Sequence, residues 1–224
     1  MRRYRLLSPF RSCAWLCRIK DLPFEHVKVE PFMGGTRTKE YKDKFPTGLS
    51  PAIDDNGFKL AEGGAIMKYL CVKEGWTDFY PTDLQQQALV DQYLSNHHST
   101  TRKMTMKVFH PMMMSFMGKQ EWDADAGAKA KDTSVFIASK FQDVFLKERF
   151  IAGGDAPTIA DLAAYTEIAQ VEQVLGSEYS FEGREDMARL NEWLGEIKGL
   201  KAHDDVHRTV SKLGQLFQAK LAGA

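Results

Sequence analysis

The residues best suited to chemistry lie between Pro46 and Leu70. Ser50-Pro51 opens a run through Ala52 and Ile53, Asp55-Asn56-Gly57 makes a tight turn, and Phe58, Leu60 and Ala61 alternate back. Glu62-Gly63-Gly64 then leads into the apolar helical pattern of Ile66, Met67, Tyr69 and Leu70. A hairpin of this kind delivers a carboxylate and bare backbone amides to a helix N-terminus, where an anionic small molecule can dock. Glu62 has two readings: a first-turn glutamate favourable to the helix dipole, or a carboxylate that accepts a ligand's ammonium while the amides of Gly63 and Gly64 face its carboxylate. An Xaa-Pro bond at Ser50-Pro51 can be cis and can hold edge backbone open to a peptide-like ligand.

Other residues need weighing. Ser8 precedes Pro9 and reads as the N-cap of a helix whose first position is the proline. At that helix tip its hydroxyl could also donate to an anion. With no histidine or aspartate near it in sequence, a Ser-His-Asp hydrolase is disfavoured. Ser12 is a second hydroxyl, expected inside the helix and turned from any ligand. Cys13 and Cys17, four residues apart, share a helix face and read with Cys71 as small core residues. His97-His98 is the one histidine pair, and no third ligand has zinc-like spacing, so no metal is expected. The methionines from Met104 to Met117, Met106 among them, read as core or as an adaptable apolar pocket. Arg102 reads as a solvated helix residue or an anion contact.

The elements that would position these groups divide near residue 78. Residues 4–7 read as a strand, the Ser8 helix ends near Asp21, and residues 24–30 alternate as a second strand. A weak charged helix, the hairpin and the Glu62 helix complete a β-α-β-α-β-β-α order. This order predicts a mixed four-stranded sheet with a right-handed first crossover. After the aromatic segment GWTDFYP the pattern is helical almost throughout. Thr82-Asp83 starts a helix that persists to Met117, bent at Pro111. Further helices are expected over 123–149, from Thr158 with Asp161 at the reciprocal capping position, over 187–199 and over 203–222. The predicted division is residues 1–76, a linker at 77–81, and an all-helical region at 82–224.

Composition narrows the function classes. Thirty basic and thirty acidic residues cancel within 224 residues, so no global field draws the chain to nucleic acid or to a membrane. No apolar run approaches the roughly 20 residues of a bilayer span, and Arg5, Ser8, Pro9 and Arg11 interrupt any signal-peptide core. A cytoplasmic protein is the expectation.

In this order the pieces resemble the glutathione S-transferase family, theta class, over nearly the whole chain. The motifs are Phe45-Pro46-Thr47-Gly48-Leu49-Ser50-Pro51-Ala52-Ile53, Glu62-Gly63-Gly64-Ala65-Ile66, and Tyr80-Pro81-Thr82-Asp83-Leu84-Gln85. To these are added Val90-Asp91-Gln92-Tyr93-Leu94, His98-Ser99-Thr100-Thr101-Arg102, Thr158-Ile159-Ala160-Asp161-Leu162 and Phe181-Glu182-Gly183-Arg184. The resemblance implies a thioredoxin-like first domain, an all-helical second domain, and a homodimer with its site in the interdomain cleft. It implies glutathione as co-substrate and a small hydrophobic electrophile as its partner. Ser8 would stabilise the thiolate, Leu49, Ser50 and Pro51 would hold the cysteinyl backbone, Glu62 and Gly63 the γ-glutamyl group, and Arg102 and Met106 would line the second pocket. The chain departs from the family pattern at Gly63, where a serine is usual, and in a segment from Ser8 to Arg11 that is one residue short. The alternative is a transferase-like binding or assembly module with weak or no glutathione chemistry.

Overall fold

A computed structural model describes residues 7–223. The first helix, α1 (Ser8–Ile19), buries Ser8, Arg11, Ser12, Cys13, Trp15, Leu16 and Cys17. So wide a buried face makes it a central element, packed against α3 (Gly63–Glu74) and against two helices of the C-terminal half, α8 (Ile159–Ile168) and α11 (His203–Ala222). Its N-cap is Leu7, and no side chain caps it. The cap expected of Ser8 is therefore not made, because that hydroxyl has a charged acceptor elsewhere.

Helix α2 (Lys39–Lys44) is capped by Thr38, which accepts from the Tyr41 amide. Strands β1 (Ala52–Asp55) and β2 (Phe58–Ala61) pair antiparallel, with Ala52 opposite Ala61 and Asp55 opposite Phe58. The two turn residues, Asn56 (φ 53) and Gly57 (φ 94), are both left-handed, the geometry whose twist suits a two-residue hairpin. Among the described residues these are the two strands of the sheet. The strand expected over 4–7 lies, apart from Leu7, outside the described residues. Residues 24–30 carry no strand assignment, so the described residues hold two of the four strands expected.

Beyond Pro81, α4 (Leu84–Asn96) is capped by Asp83, whose carboxylate accepts from the Gln85 and Gln86 amides. The single bent helix expected up to Met117 is instead broken. A 3-10 turn (His97–Ser99) leads through an irregular Thr100 to α5 (Arg102–Met104), a π turn (Thr105–Phe109) and α6 (His110–Phe116). The break falls at hydroxyls: Ser99 and Thr100 both donate to the Asn96 carbonyl, competing with the helical ladder. Pro111 is the second residue of α6, directly after the π turn.

The remaining helices are α7 (Ala124–Phe145), α8, α9 (Gln170–Leu175), α10 (Ala188–Lys198) and α11. Every residue of α8 is buried, and its start is the capping box expected of Thr158 and Asp161. The Asp161 carboxylate also accepts from the Ile151 amide and from Trp193 Nε1, tying α8 to its surroundings.

Candidate functional site

Between the hairpin side of the molecule and the helical half lies a cleft of about 510 Å³. The first half contributes Leu49, Ser50, Pro51, Glu62 and Gly63 to its wall, with Pro9 and Ser12 from α1. The second contributes His97, His98 and Arg102. The Ser50–Pro51 bond is cis. Leu49 is half exposed, and its carbonyl accepts from Tyr41 Oη at 2.6 Å.

Glu62 is the N-cap of α3 with φ 76, a conformation uncommon outside glycine. Such strain, of order ~1–3 kcal/mol, tends to collect at binding sites. Its carboxylate stands 3.6 Å from His98 Nε2, both groups being largely solvent-exposed. Gly63 follows in the first turn of α3, where a Cβ would lie 3.2 Å from Pro9 Cβ. Cys13 Sγ donates to the Gly63 carbonyl, so α1 and the start of α3 touch directly.

Ser8 is 1 % exposed and is not part of the cleft wall. Its Oγ donates to Glu167 Oε1 at 2.5 Å and accepts from Arg102 Nη1 at 2.8 Å. Arg102 also reaches Glu167 Oε1 at 2.9 Å, while Thr105 Oγ1 and Gln170 Nε2 donate to Oε2. His97 Nε2 stands 3.5 Å from Glu167 Oε1. Burial would push the Glu167 carboxyl up, but His97, Arg102 and Ser8 together hold it down at about 2. Arg11, also buried, donates to the Thr166 carbonyl and to Gln170 Oε1. Burial lowers its guanidinium to about 10 despite the attraction of Glu167.

The cleft thus brings together Leu49, Ser50, Pro51, Glu62, Gly63 and Arg102, whereas Ser8 stands one side chain behind its wall. Met106 is exposed and is not among the cleft residues; Met104, Met112 and Met113 are core. The three thiols are buried, and desolvation raises them all, Cys17 to about 11 and Cys71 to about 12. Thiols so raised are poor nucleophiles. Sequence reasoning missed Glu167, Gln170 and Arg11. The available signal was a glutamate near the end of a mainly apolar helical run, 159–168.

Among the described residues no helix is long and apolar enough to cross a membrane. A hairpin and helix tip facing a helical half across one cleft define the class of protein to compare. Residues 3–71 match the family described as glutathione S-transferase, N-terminal domain. Glutathione S-transferase theta-1 of Rattus norvegicus is 31% identical over 206 residues, covering 89% of this chain and 85% of that protein. Theta-1 of Homo sapiens is 29% identical over 210 residues, covering 92% and 86%. Among solved structures, human glutathione transferase theta-2 in complex with glutathione and an unknown ligand superposes with TM-score 0.77 at 28% identity, covering 96% of this chain and 88% of that one. A delta-class glutathione transferase of Nilaparvata lugens gives 0.74 at 27%, covering 96% of both chains. The chain belongs to the glutathione S-transferase family, and the rat and human relatives above are theta-class members.

Proposed function

We propose that this protein binds glutathione in the cleft and conjugates its thiolate to small hydrophobic electrophiles, halide displacement included. The observation that carries the reading is the convergence of Ser50, Pro51, Glu62 and Arg102 on one cleft in a chain of this family. Its volume, about 510 Å³, lies in the usual range for small-molecule sites. Glu62 would take the γ-glutamyl ammonium, the first amides of α3 its carboxylate, and the backbone of Leu49 and Ser50 the cysteinyl moiety. Ser8 and Arg102 would stand at the thiol end. A free thiol of pKa ~8.5 is only a few per cent ionised near neutral pH, and lowering it by two units needs ~2.7 kcal/mol. One hydrogen bond to a charged group supplies ~1.5–3 kcal/mol and a helix terminus ~0.3–1 more. The Arg102 guanidinium adds a positive charge at the wall.

This reading includes the division into a glutathione-binding domain (1–76), a linker (77–81) and a helical domain (82–224). It also includes a homodimer and a cytoplasmic location. The electrophile would enter beside Arg102; the exposure of Met106 removes support for its part in that pocket. One observation favours the second reading, a binding module with little chemistry: the Ser8 proton is directed at Glu167 and away from the cleft. Isothermal titration with glutathione tests both. Binding with ionisation of the thiol supports the enzyme, binding without ionisation the module, and no binding at millimolar glutathione sinks the enzyme reading and leaves the module.

A further inference from the structure

Glu167 is the ninth residue of α8, a helix whose ten residues are all buried. A buried carboxylate is costly unless every lone pair is engaged. Here Ser8 and Arg102 engage Oε1 while Thr105 and Gln170 engage Oε2. An ionised carboxylate can only accept, and a serine hydroxyl has one proton. The Ser8 proton therefore points at Glu167, and one of the two lone pairs of Ser8 Oγ is taken by Arg102 Nη1, with Thr105 Oγ1 a further 3.3 Å neighbour. Arg102 is itself part of the cleft wall, so Ser8, the wall and the buried carboxylate form one continuous chain of hydrogen bonds.

The consequence concerns any anion placed at that wall. To donate to it, Ser8 must give up a 2.5 Å bond to a carboxylate, a strong competitor for the same proton. We propose that Glu167 is a positioning residue that competes with the glutathione thiolate for the Ser8 proton and so sets how acidic the bound thiol becomes. This rests on the reading of the cleft as a glutathione site with Ser8 at the thiol end. No covalent step is involved: the thiol proton leaves to solvent, and Ser8 keeps its own proton while changing the atom it points at. The charged and titratable groups facing Glu167 are Arg11 from α1, Tyr93 from α4, His97 from the following turn and Arg102 from α5. Those facing the cleft are Glu62, Lys68, His97, His98 and Arg102. Of all these, Arg102 is the group that bonds Ser8 directly, and it donates, leaving Glu167 to hold the proton.

The test is the pH dependence of the ultraviolet thiolate absorbance of glutathione bound to the wild type, Glu167→Gln, Ser8→Ala and the double variant. An amide accepts more weakly than a carboxylate. Glu167→Gln should lower the bound thiol's pKa by about one unit, roughly tenfold more thiolate at a pH below both values. The double variant should lose most of that gain relative to Ser8→Ala. A folded Glu167→Gln protein with an unmoved thiol overturns the proposal. So does an equal gain in the double variant, which would assign the effect to charge alone. Glu167→Asp retracts the acceptor by one methylene while keeping the charge, and carries the test if the glutamine variant does not fold. It should shift the thiol in the same direction, and an unmoved thiol in that folded variant overturns the proposal. Titration of the wild type separates the two levels. Absence of glutathione binding defeats the site reading and this proposal with it, whereas binding without the shift defeats this proposal alone.

Discussion

Pro9 and Gly63 are in direct backbone-scale contact: a Cβ built on Gly63 would lie 3.2 Å from Pro9 Cβ and 3.4 Å from the Pro9 carbonyl oxygen. The two departures that the sequence resemblance implies, a short segment after Ser8 and a glycine at position 63, would therefore meet at one point. The neighbour is a proline in the first turn of a buried helix, with little freedom to yield. A serine at 63 would gain a hydroxyl but force α1 and α3 apart by a few tenths of an ångström. Overpacking of this kind costs ~1–3 kcal/mol, against a gain of up to ~1 from replacing a helical glycine. Gly63→Ser should lower the thermal midpoint without improving glutathione affinity, as melting and titration can check. A stable variant with tighter binding would show that the contact is unimportant.

Ser8→Ala removes the hydroxyl that Glu167 and the thiolate would share. Under the proposed function the bound thiol's pKa should rise by about one unit and turnover near neutral pH should fall roughly tenfold, with glutathione affinity little changed. Unchanged thiolate absorbance would take Ser8 out of the mechanism.

Much of this arrangement was legible from local rules. Asp55-Asn56-Gly57 announced the hairpin turn, and Thr158 with Asp161 announced the capping box, because both are satisfied by residues near in sequence. The chain break around Thr100 was not legible, since apolar periodicity ran through it while side-chain hydroxyls competed with the ladder. The place of Ser8 was less legible still. As a local motif it is a helix cap, yet its partner lies 159 residues away on α8. Glu167 shows the same limit: only the packing of α1, α5 and α8 turns a charge in an apolar helix into a satisfied group.

Glu62→Gln tests the γ-glutamyl end. Losing one charge-assisted bond to an ammonium corresponds to ~1.5–3 kcal/mol, so the dissociation constant for glutathione should rise by roughly 10- to 100-fold in titration calorimetry. The pair with His98 is exposed at 3.6 Å, and such pairs add little to stability, so the melting temperature should hold. Equal affinity in the two proteins would move the ammonium site elsewhere.

Gly214→Ala tests the seam between α9 and α11. A Cβ there would lie 2.0 Å from the Gln173 carbonyl oxygen and 2.9 Å from Val174 Cα, both backbone atoms that cannot swing aside. The helices would have to separate, opening the packing around Val174 and Leu213, both almost fully buried. Destabilisation of at least ~3 kcal/mol is expected, beyond the usual range for a single exchange, and urea unfolding measures it. A midpoint within the scatter of wild type would contradict the close approach.

The last prediction concerns acid. His207 is 1 % exposed and stacks on His203 with ring centroids 4.4 Å apart. Burial, then Arg11, then His203 hold its pKa well below the ordinary 6.5, and burial lowers His203 as well despite Asp204. The neutral His207 ring donates from Nδ1 to the His203 carbonyl, while Nε2 has no protein partner among the described residues. In the unfolded chain both histidines take a proton as pH falls through about 6.5, and in the folded protein His207 does not. Below that pH the unfolded state binds more protons, so stability is full above about 6.5 and declines as acid is added. The slope approaches 1.36 kcal/mol per pH unit for each histidine kept neutral, or about 2 kcal/mol from His207 by pH 5. His207→Phe keeps an aromatic ring against Trp15 and Tyr165, removes the unpartnered nitrogen and abolishes that share of the slope. Urea midpoints measured between pH 7.5 and pH 5, about 1.5 units below the ordinary histidine pKa, should fall less steeply in the variant than in the wild type. Parallel slopes in the two proteins would place the acid sensitivity outside this pair.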